Sequence, residues 1–175
     1  MKSVFVTGVS GIGKSTLSLR LQEKGLTAYD MEEIDGLFTM FDKETGEKMS
    51  EWDNTDIELV KRMNWVCDAE KLEAHVRQQR GDVVFYCGAS GNVAEIAPLF
   101  DQLVLLTADE GNIRHRLSTR TSNDFGRVRE AQDLVLEDKD RYERDLQTRG
   151  AIVVDANEDL DRVVAEVIER TAIFS

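Results

Sequence analysis

The chain has 175 residues, of which 41% are hydrophobic and 32% charged, a composition typical of one globular domain with a buried core. Its formal net charge of −12 argues against a nucleic-acid partner, because such binding depends on a basic surface. No apolar run is long enough to span a membrane, and an apolar strand follows Met1 and Lys2 directly, which leaves no room for a secretion signal. We therefore expect a cytoplasmic protein without a membrane partner, as a monomer or a homodimer.

Short apolar runs recur along the chain with helix-like stretches between them. The runs cover residues 4–6, 26–29, 83–86, 103–106 and 152–154. Strands that alternate with helices pair in parallel through right-handed crossovers, and helices cover both faces of the resulting sheet. The pattern predicts the α/β class, as a three-layer sandwich with a five-stranded parallel sheet that forms one domain over residues 1–175.

Capping residues predict where several helices begin and end. Asp68 can cap a helix that runs to Arg80 with Gly81 after it, and Asp109 can cap the next helix. A long helix ends at Gly150, and a last helix follows the fifth strand.

The stretch GVSGIGKST, residues 8–16, matches G-x-x-x-x-G-K-[ST] without departure and lies between the first strand and a helix. Its glycines let successive N–H groups point inward as an anion site at a helix N-terminus. Lys14 supplies positive charge to the outer phosphates, Ser15 a hydroxyl to Mg²⁺, and Thr16 a second hydroxyl near the inner phosphate. We expect the cofactors ATP and Mg²⁺, bound by Gly8, Ser10, Gly11, Ile12, Gly13, Lys14, Ser15 and Thr16.

The early phosphate loop, the five strands and an arginine-bearing segment after the fourth strand resemble the small P-loop kinases, the group of adenylate, shikimate and gluconate kinases. The resemblance implies an ATP-dependent kinase that transfers the γ-phosphoryl group to a small-molecule hydroxyl. In that group an R-x-x-x-R pair leads into a mobile lid, which here would span residues 118–130. By this match Arg116 stacks on the adenine, Arg120 contacts the phosphates and Arg127 arrives when the lid closes.

The arginines have an alternative interpretation, and one further loop is predicted to contact the nucleotide. The arginines alternatively form a solvated basic helix face, with Arg114, Arg116 and Arg120 paired to nearby acids. The loop after the fifth strand, which contains Asp155 and Ala156, lies where the resemblance implies contact with the adenine.

The second strand ends in Asp30-Met31-Glu32, which resembles the D-x-D found at this place in shikimate kinase. By that match Asp30 binds a water of the Mg²⁺ shell, and Glu32 accepts or orients the proton of the acceptor's hydroxyl. Asp35 is a competing candidate for the base. The alternative is that Asp30 only caps a helix, with acids after it near the positive helix end.

Residues 31–60 leave from the carboxyl end of the second strand, where open α/β sheets bind their substrates, and are therefore the predicted acceptor-binding element. Within them, residues 41–48 are typical of a hairpin or turn. The third strand ends in a run of small residues, 88–91, which indicates close backbone approach to a substrate, and Asn92 after it can hydrogen-bond the acceptor.

The segment from Asp30 to Glu58 contains eleven carboxylates, two lysines and no arginine, and the next arginine after it is Arg62. Arginines grip the carboxylate or phosphate of anionic acceptors bidentately. We therefore expect a neutral or cationic acceptor, with Trp52, Trp65 or Phe38 as stacking surfaces. The alternative is that the acids form a solvated loop surface and that Arg62 or Arg77 reaches the acceptor from a helix.

Two other functions are compatible with a phosphate loop in a chain of this size. One is an ATP-binding regulatory module without a dedicated acceptor, and the other is a nucleoside monophosphate kinase. Acceptor-dependent release of ADP separates a kinase from the regulatory module, and an arginine in the acceptor pocket favours the nucleoside monophosphate kinase.

Overall fold

The computed structural model describes residues 1–121 and 124–171, in which strands and helices alternate for most of the chain. Two short 3₁₀ turns occur at Met31–Glu33 and Ala97–Leu99. The elements in order are β1 (Lys2–Thr7), α1 (Lys14–Glu23), β2 (Thr27–Asp30), β3 (Phe38–Asp42), α2 (Ile57–Arg62), β4 (Met63–Cys67), α3 (Ala69–Gln78), β5 (Val83–Cys87), α4 (Val93–Ile96), β6 (Gln102–Thr107), α5 (Glu110–Thr119), α6 (Arg129–Thr148), β7 (Ile152–Asp155) and α7 (Leu160–Thr171).

The main sheet has five parallel strands in the order β2-β5-β1-β6-β7. β1 lies at its centre, where Val4 is in register with Phe85 of β5 and Val6 with Val104 of β6. Each of the five strands coincides with one of the apolar runs, so the predicted α/β class and the predicted strand count are confirmed.

Helices cover both faces of this sheet. Successive residues of a strand point to opposite faces, so the neighbours of alternate residues in β1 show which helices lie on each face. Val4 and Val6 of β1 belong to a core cluster that also contains Leu17 of α1 and Val164 of α7. Phe5, between the two valines, belongs to a second cluster with residues of α3, α4 and α6. The three-layer arrangement is therefore confirmed. In residues 1–121 and 124–171 no helix is both long and apolar enough to cross a bilayer.

The predicted helix caps are present. The carboxylate of Asp68 accepts the N–H of Lys71 at 3.0 Å, and that of Asp109 accepts the N–H of Asn112 at 2.8 Å. α3 ends at Gln78, slightly before its expected end, and α6 ends just before Gly150, whose φ is +84°.

A second, two-stranded sheet was not predicted from the sequence. β3 pairs antiparallel with β4, with Met40 opposite Trp65. The expected turn over residues 41–48 is present, since Phe41 and Lys48 form an isolated bridge. The strand that pairs with β3 along its whole length is β4. The pairing joins segments that are far apart in the chain, and local periodicity carries no information about such a partner.

Candidate nucleotide-binding and phosphoryl-transfer site

A cavity of about 1010 Å³ opens beside the phosphate loop. Its walls are the complete loop of residues 8–16, parts of α5 and α6, the start of α7, the β3–β4 pair with α2, and residues 89–91 after β5. The phosphate loop and the predicted acceptor element therefore face one common space, at the edge of the sheet where such sites are expected.

The phosphate loop is held in its shape by the packing of α5 behind it. Gly11 has a φ of +82°, and a Cβ at this position would lie 2.7 Å from Cγ of Leu117. Gly13, at the start of α1, has a φ of +105° with open space around it. Gly11 is thus required by both conformation and space, whereas Gly13 is required by conformation alone.

The Lys14 side chain folds back over this loop. Its ammonium donates hydrogen bonds to the carbonyl oxygens of Gly8 and Val9, both at 2.9 Å. Burial lowers the pKa of Lys14 to about 8, although the carboxylates of Glu32 and Asp30 favour the charged form. A phosphate group would replace the two carbonyl oxygens as the partner of this ammonium.

Of the three carboxylates proposed as base, only Glu32 lines the cavity. Its side chain reaches water through the cleft, yet the surrounding protein removes enough hydration to raise the pKa of its carboxyl, an effect that Lys14 opposes. Oδ1 of Asp30 accepts the N–H of Glu32 at 3.1 Å and caps the 3₁₀ turn at Met31–Glu33, and Asp30 does not line the cavity. Asp35 is exposed and lies outside the cavity wall.

Arg116 of α5 and Arg120, the residue that follows α5, turn toward the phosphate loop. Arg116 donates to the carbonyl oxygens of Ile12 at 3.1 Å and of Ala156 at 2.6 Å, and so connects the loop to the segment after β7. Arg120 donates to Oγ of Ser10 at 3.3 Å and to the carbonyl oxygen of Phe125. Burial lowers the pKa of Arg120, and Glu32 counteracts that effect.

Arg127 behaves differently from these two arginines. It is exposed, pairs with Asp124 at 2.6 Å and does not line the cavity. Arg114 likewise pairs with Asp133 at 2.6 Å. Of the three arginines in the alternative of a basic face paired to nearby acids, Arg114 has such a pair, whereas Arg116 and Arg120 contact the phosphate loop. Ser122 and Asn123 of the predicted lid lie outside the described residues.

The segment after β7 is tied to the start of α5. Ala156 lines the cavity and donates its N–H to Thr107 at 2.7 Å. Asn157, which the sequence analysis did not single out, accepts the N–H of Asp109 at 3.0 Å. Asp155 accepts the N–H of Asn157 at 2.9 Å and does not itself line the cavity.

The far end of the cavity is an aromatic chamber, formed by Met40, Trp52, Asn54, Val60, Met63, Trp65 and residues 89–91. Phe38 does not line it but stacks behind Trp65, with ring centroids 5.1 Å apart and planes within 2°. The ring of Trp52 is 6.1 Å from that of Trp65 and tilted by 60°. Met40 and Val60 lie within the predicted acceptor-binding element of residues 31–60, whereas Met63 lies beyond it; alternation along β4 was the available signal for Met63.

The acids of the segment between Asp30 and Glu58 do not form the chamber wall. Only Glu32 among the eleven lines the cavity. Asp42 pairs with Arg62 and caps a turn, and Asp56 caps α2. The acids thus form a loop surface, as in the alternative, but the two arginines named with it are not in the cavity wall either: Arg62 is held by Asp42, and Arg77 by Glu73 at 2.6 Å.

The small residues after β5 make room for protein neighbours, and because residues 89–91 also line the cavity, close approach of a substrate to them stays a prediction. A Cβ on Gly91 would collide with the side chain of Asn64, and one on Gly88 would lie 2.9 Å from Cβ of Met31. Asn92 also has a structural role: its carboxamide accepts the N–H and donates to the carbonyl oxygen of Cys67, both at 2.9 Å. These contacts attach β4 to the main sheet.

The residues at the loop suit a Mg²⁺ ion that arrives with a nucleotide. Across the described parts of the chain, no cluster of three or more histidine, cysteine or acidic side chains could hold a metal ion. Mg²⁺ at phosphate sites commonly takes one or two protein groups, several waters and the phosphates. Ser15 lines the cavity, whereas Asp30, whose Oδ1 is engaged in the cap, lies outside the cavity wall, so that a contact of Asp30 with the ion would pass through water.

Comparisons with known proteins agree with this geometry. Residues 4–135 match a family model described as AAA domain, whereas a search of curated proteins finds no match. The structure is similar to a shikimate kinase from Bacteroides thetaiotaomicron, with a TM-score of 0.62, 14% identity and 97% of each chain covered. It is also similar to a deoxyadenosine kinase from M. mycoides with bound dATP, with a TM-score of 0.59, 13% identity and coverage of 96% of this chain and 98% of that one.

Because the family model covers more than half of the chain, and because both solved structures align over nearly their whole length, the resemblance inferred from the phosphate loop is confirmed at the level of fold. The chain belongs to the AAA domain family and has the fold of the small P-loop kinases.

Proposed function

We propose that the protein is an ATP-dependent, Mg²⁺-requiring kinase that transfers the γ-phosphoryl group of ATP to a hydroxyl of a small molecule. One observation carries the proposal: the complete phosphate loop and the aromatic chamber line the same cavity. An acceptor in the chamber can therefore lie at the end of the phosphate chain. A regulatory module that only binds ATP has no need of such a second compartment.

Each group near the loop has a role in this reaction. The hydroxyl oxygen of the acceptor attacks the γ-phosphorus, the bond from that phosphorus to the bridging oxygen of the β-phosphate breaks, and ADP leaves. Glu32 takes the proton of the hydroxyl, while Lys14 and Arg120 balance the charge on the phosphate oxygens. Ser15, and Asp30 through a water molecule, would hold a Mg²⁺ ion, which would supply positive charge to the phosphates.

The nucleotide itself has contacts on the opposite side of the cavity. We place the adenine beside Arg116 and Ala156, which are joined by a hydrogen bond of 2.6 Å. Because Arg116 is engaged with two backbone carbonyls, its guanidinium is oriented before the nucleotide binds. Arg127 joins the site only if closure of the lid breaks its pair with Asp124.

The acceptor is proposed to be neutral or cationic. The support is the absence of arginine from the aromatic chamber, within the described chain, since Arg116 and Arg120 lie on the nucleotide side. That absence also counts against a nucleoside monophosphate kinase, whose acceptor phosphate needs bidentate partners.

Release of ADP with Mg·ATP tests the proposal across a panel of neutral, cationic and anionic hydroxyl compounds and nucleoside monophosphates, with Lys14→Ala as the blank. We expect acceptor-dependent ADP release with at least one neutral or cationic compound. A response to anions alone keeps the kinase and refutes the expected charge of the acceptor. Tight binding of ATP without acceptor-dependent release in the whole panel assigns the protein to the regulatory class.

A further inference from the structure

We infer that the acceptor is an uncharged compound with a flat heteroaromatic ring system, which stacks against the tryptophans of the aromatic chamber and presents its hydroxyl to Glu32. The inference rests on the proposed function and narrows it, because a polyol, a sugar acid or an amino alcohol would fit that function equally well.

The shape of the chamber is the first argument. The β3–β4 register places Met40 opposite Trp65, and Met63, two residues from Trp65, lies on the same face of the pair. All three side chains line the cavity. Phe38 stacks in parallel behind Trp65 and so holds the indole at a fixed angle. A rigid aromatic wall next to methionines selects flat rings, because it offers them a large contact area at little entropic cost.

The polar groups of the chamber provide the second argument. Asn54 lines the cavity, and a carboxamide can both donate to and accept from the edge of a heteroaromatic ring. Ser90 also lines it, but its hydroxyl already contacts the N–H of Cys67 at 3.1 Å and the carbonyl oxygen of Trp65 at 3.3 Å. Polar recognition in the chamber therefore depends on Asn54.

Charge is the third argument. Two lysines line the cavity at the chamber, and both are exposed and directed to protein partners: Lys61 pairs with Glu58 at 2.6 Å, and Lys43 donates to the carbonyl oxygen of Lys61 at 3.3 Å. The negative charge of Glu32 interacts electrostatically with the positive charge of Lys14. The charged groups near the chamber already have protein partners and are not available to a charged acceptor. An uncharged acceptor therefore loses the least hydration free energy when it enters the chamber.

Tryptophan fluorescence gives a direct test, because the only two tryptophans of the chain, Trp52 and Trp65, both line the chamber. The protein is saturated with Mg²⁺ and a non-hydrolysable ATP analogue, so that nucleotide does not compete for the chamber. It is then titrated with adenosine, cytidine, thymidine and pyridoxine, and with sorbitol, gluconate and ethanolamine as matched compounds that lack a ring. We expect saturable quenching by at least one aromatic compound and none by the others.

Variants separate stacking from collapse of the chamber. Trp65→Leu removes the stacking surface, and we expect the KM for the aromatic acceptor to rise at least about tenfold, as the loss of one stacked ring predicts. Trp65→Phe keeps an aromatic face and restores most of the affinity. Trp52 remains as the fluorescent reporter in both variants.

The outcomes distinguish the two proposals. Saturable quenching together with ADP release for the same aromatic compound supports both. ADP release with a compound that lacks a ring, and no quenching by aromatic compounds, overturns the inference and keeps the kinase. Quenching by aromatic compounds, without ADP release in the presence of any compound of the panel, overturns the kinase and with it the acceptor role of those compounds. Absence of both signals overturns both proposals.

Discussion

Lys14 and Glu32 face the same phosphate site with opposite charges, and each changes the ionisation of the other. Lys14 is held by the carbonyl oxygens of Gly8 and Val9, which are weaker partners for an ammonium than a phosphate. Burial therefore dominates, and the pKa of Lys14 falls to about 8. Bound phosphates would favour the charged ammonium and raise that pKa again.

This shift predicts that nucleotide affinity depends on pH. Below about pH 8 Lys14 is already protonated, so affinity is constant; above it, binding must take up a proton, and the Kd rises by up to about tenfold per pH unit. Calorimetric titration of Mg·ATP between about pH 6.5 and 9.5 measures the effect. In Lys14→Arg the guanidinium does not titrate and the profile is flat. A wild-type Kd that stays constant throughout contradicts the assignment.

The assignment of the base to Glu32 predicts a split between chemistry and binding. Glu32→Gln keeps the shape of the side chain but cannot take a proton, so kcat falls by about 10²- to 10⁴-fold while the Kd for ATP changes little. Asp35→Asn is the matched control, because Asp35 is a nearby carboxylate that is exposed outside the cavity wall. Full activity in Glu32→Gln, or a comparable loss in Asp35→Asn, refutes the assignment.

Site residues within the phosphate loop could be predicted because the motif is contiguous and each residue type has a local mechanical role. The choice among Asp30, Glu32 and Asp35 could not be made in that way. Only the path of the chain after β2 decides which carboxylate enters the cavity and which one caps a turn.

At the scale of elements, α5 positions Arg116, and Arg120 directly after it, against the phosphate loop. Asp109 caps its first turn, and Leu117 packs against the loop where Gly11 leaves no room for a Cβ. Arg116 and Arg120 then contact backbone or side chains of the same loop. The orientation of α5 should therefore affect nucleotide binding.

A pair of cap variants tests this link. Asp109→Ala and Asp68→Ala each remove one N-cap, and each should lower the free energy of unfolding by about 1 kcal/mol, measured by urea denaturation. Only Asp109→Ala should also weaken ATP binding, because α3 carries no residue of the cavity wall, whereas α5 does. Equal effects of the two variants on the Kd for ATP would show that α5 is not the connecting element.

The β3–β4 pair is the element that sequence analysis missed, although its residues were singled out as an acceptor-binding region. Its partner strands are separated by a long, polar, acid-rich segment, and that segment concealed the pairing. The hydrogen bonds from Asn92 to Cys67 and from Gly91 to Trp65 then fix β4 beside the main sheet. None of these contacts has a local sequence signal.

At the scale of the whole molecule, the sheet order places β1 and its phosphate loop at the centre, with β5 and β6 on either side. The loops that follow these strands meet at one edge, and the cavity lies there. The alternation of strands and helices predicted a parallel sheet with helices on both faces, because parallel strands require crossovers of one hand, but it did not predict the strand order. The overall architecture is therefore the part of the structure that pattern analysis predicts best.

The sequence by itself determined the phosphate loop, the five strands and the caps of α3 and α5, because each depends on residues that are neighbours in the chain. It also indicated Trp52 and Trp65 as surfaces for an acceptor. Only the tertiary structure decided that Glu32 is the one acid of residues 30–58 that lines the cavity, and that Asn92 supports β4. The physical reason is that long-range strand pairing and burial determine which groups a side chain contacts. The composition of a segment gives the number of its charged side chains but not where those side chains lie.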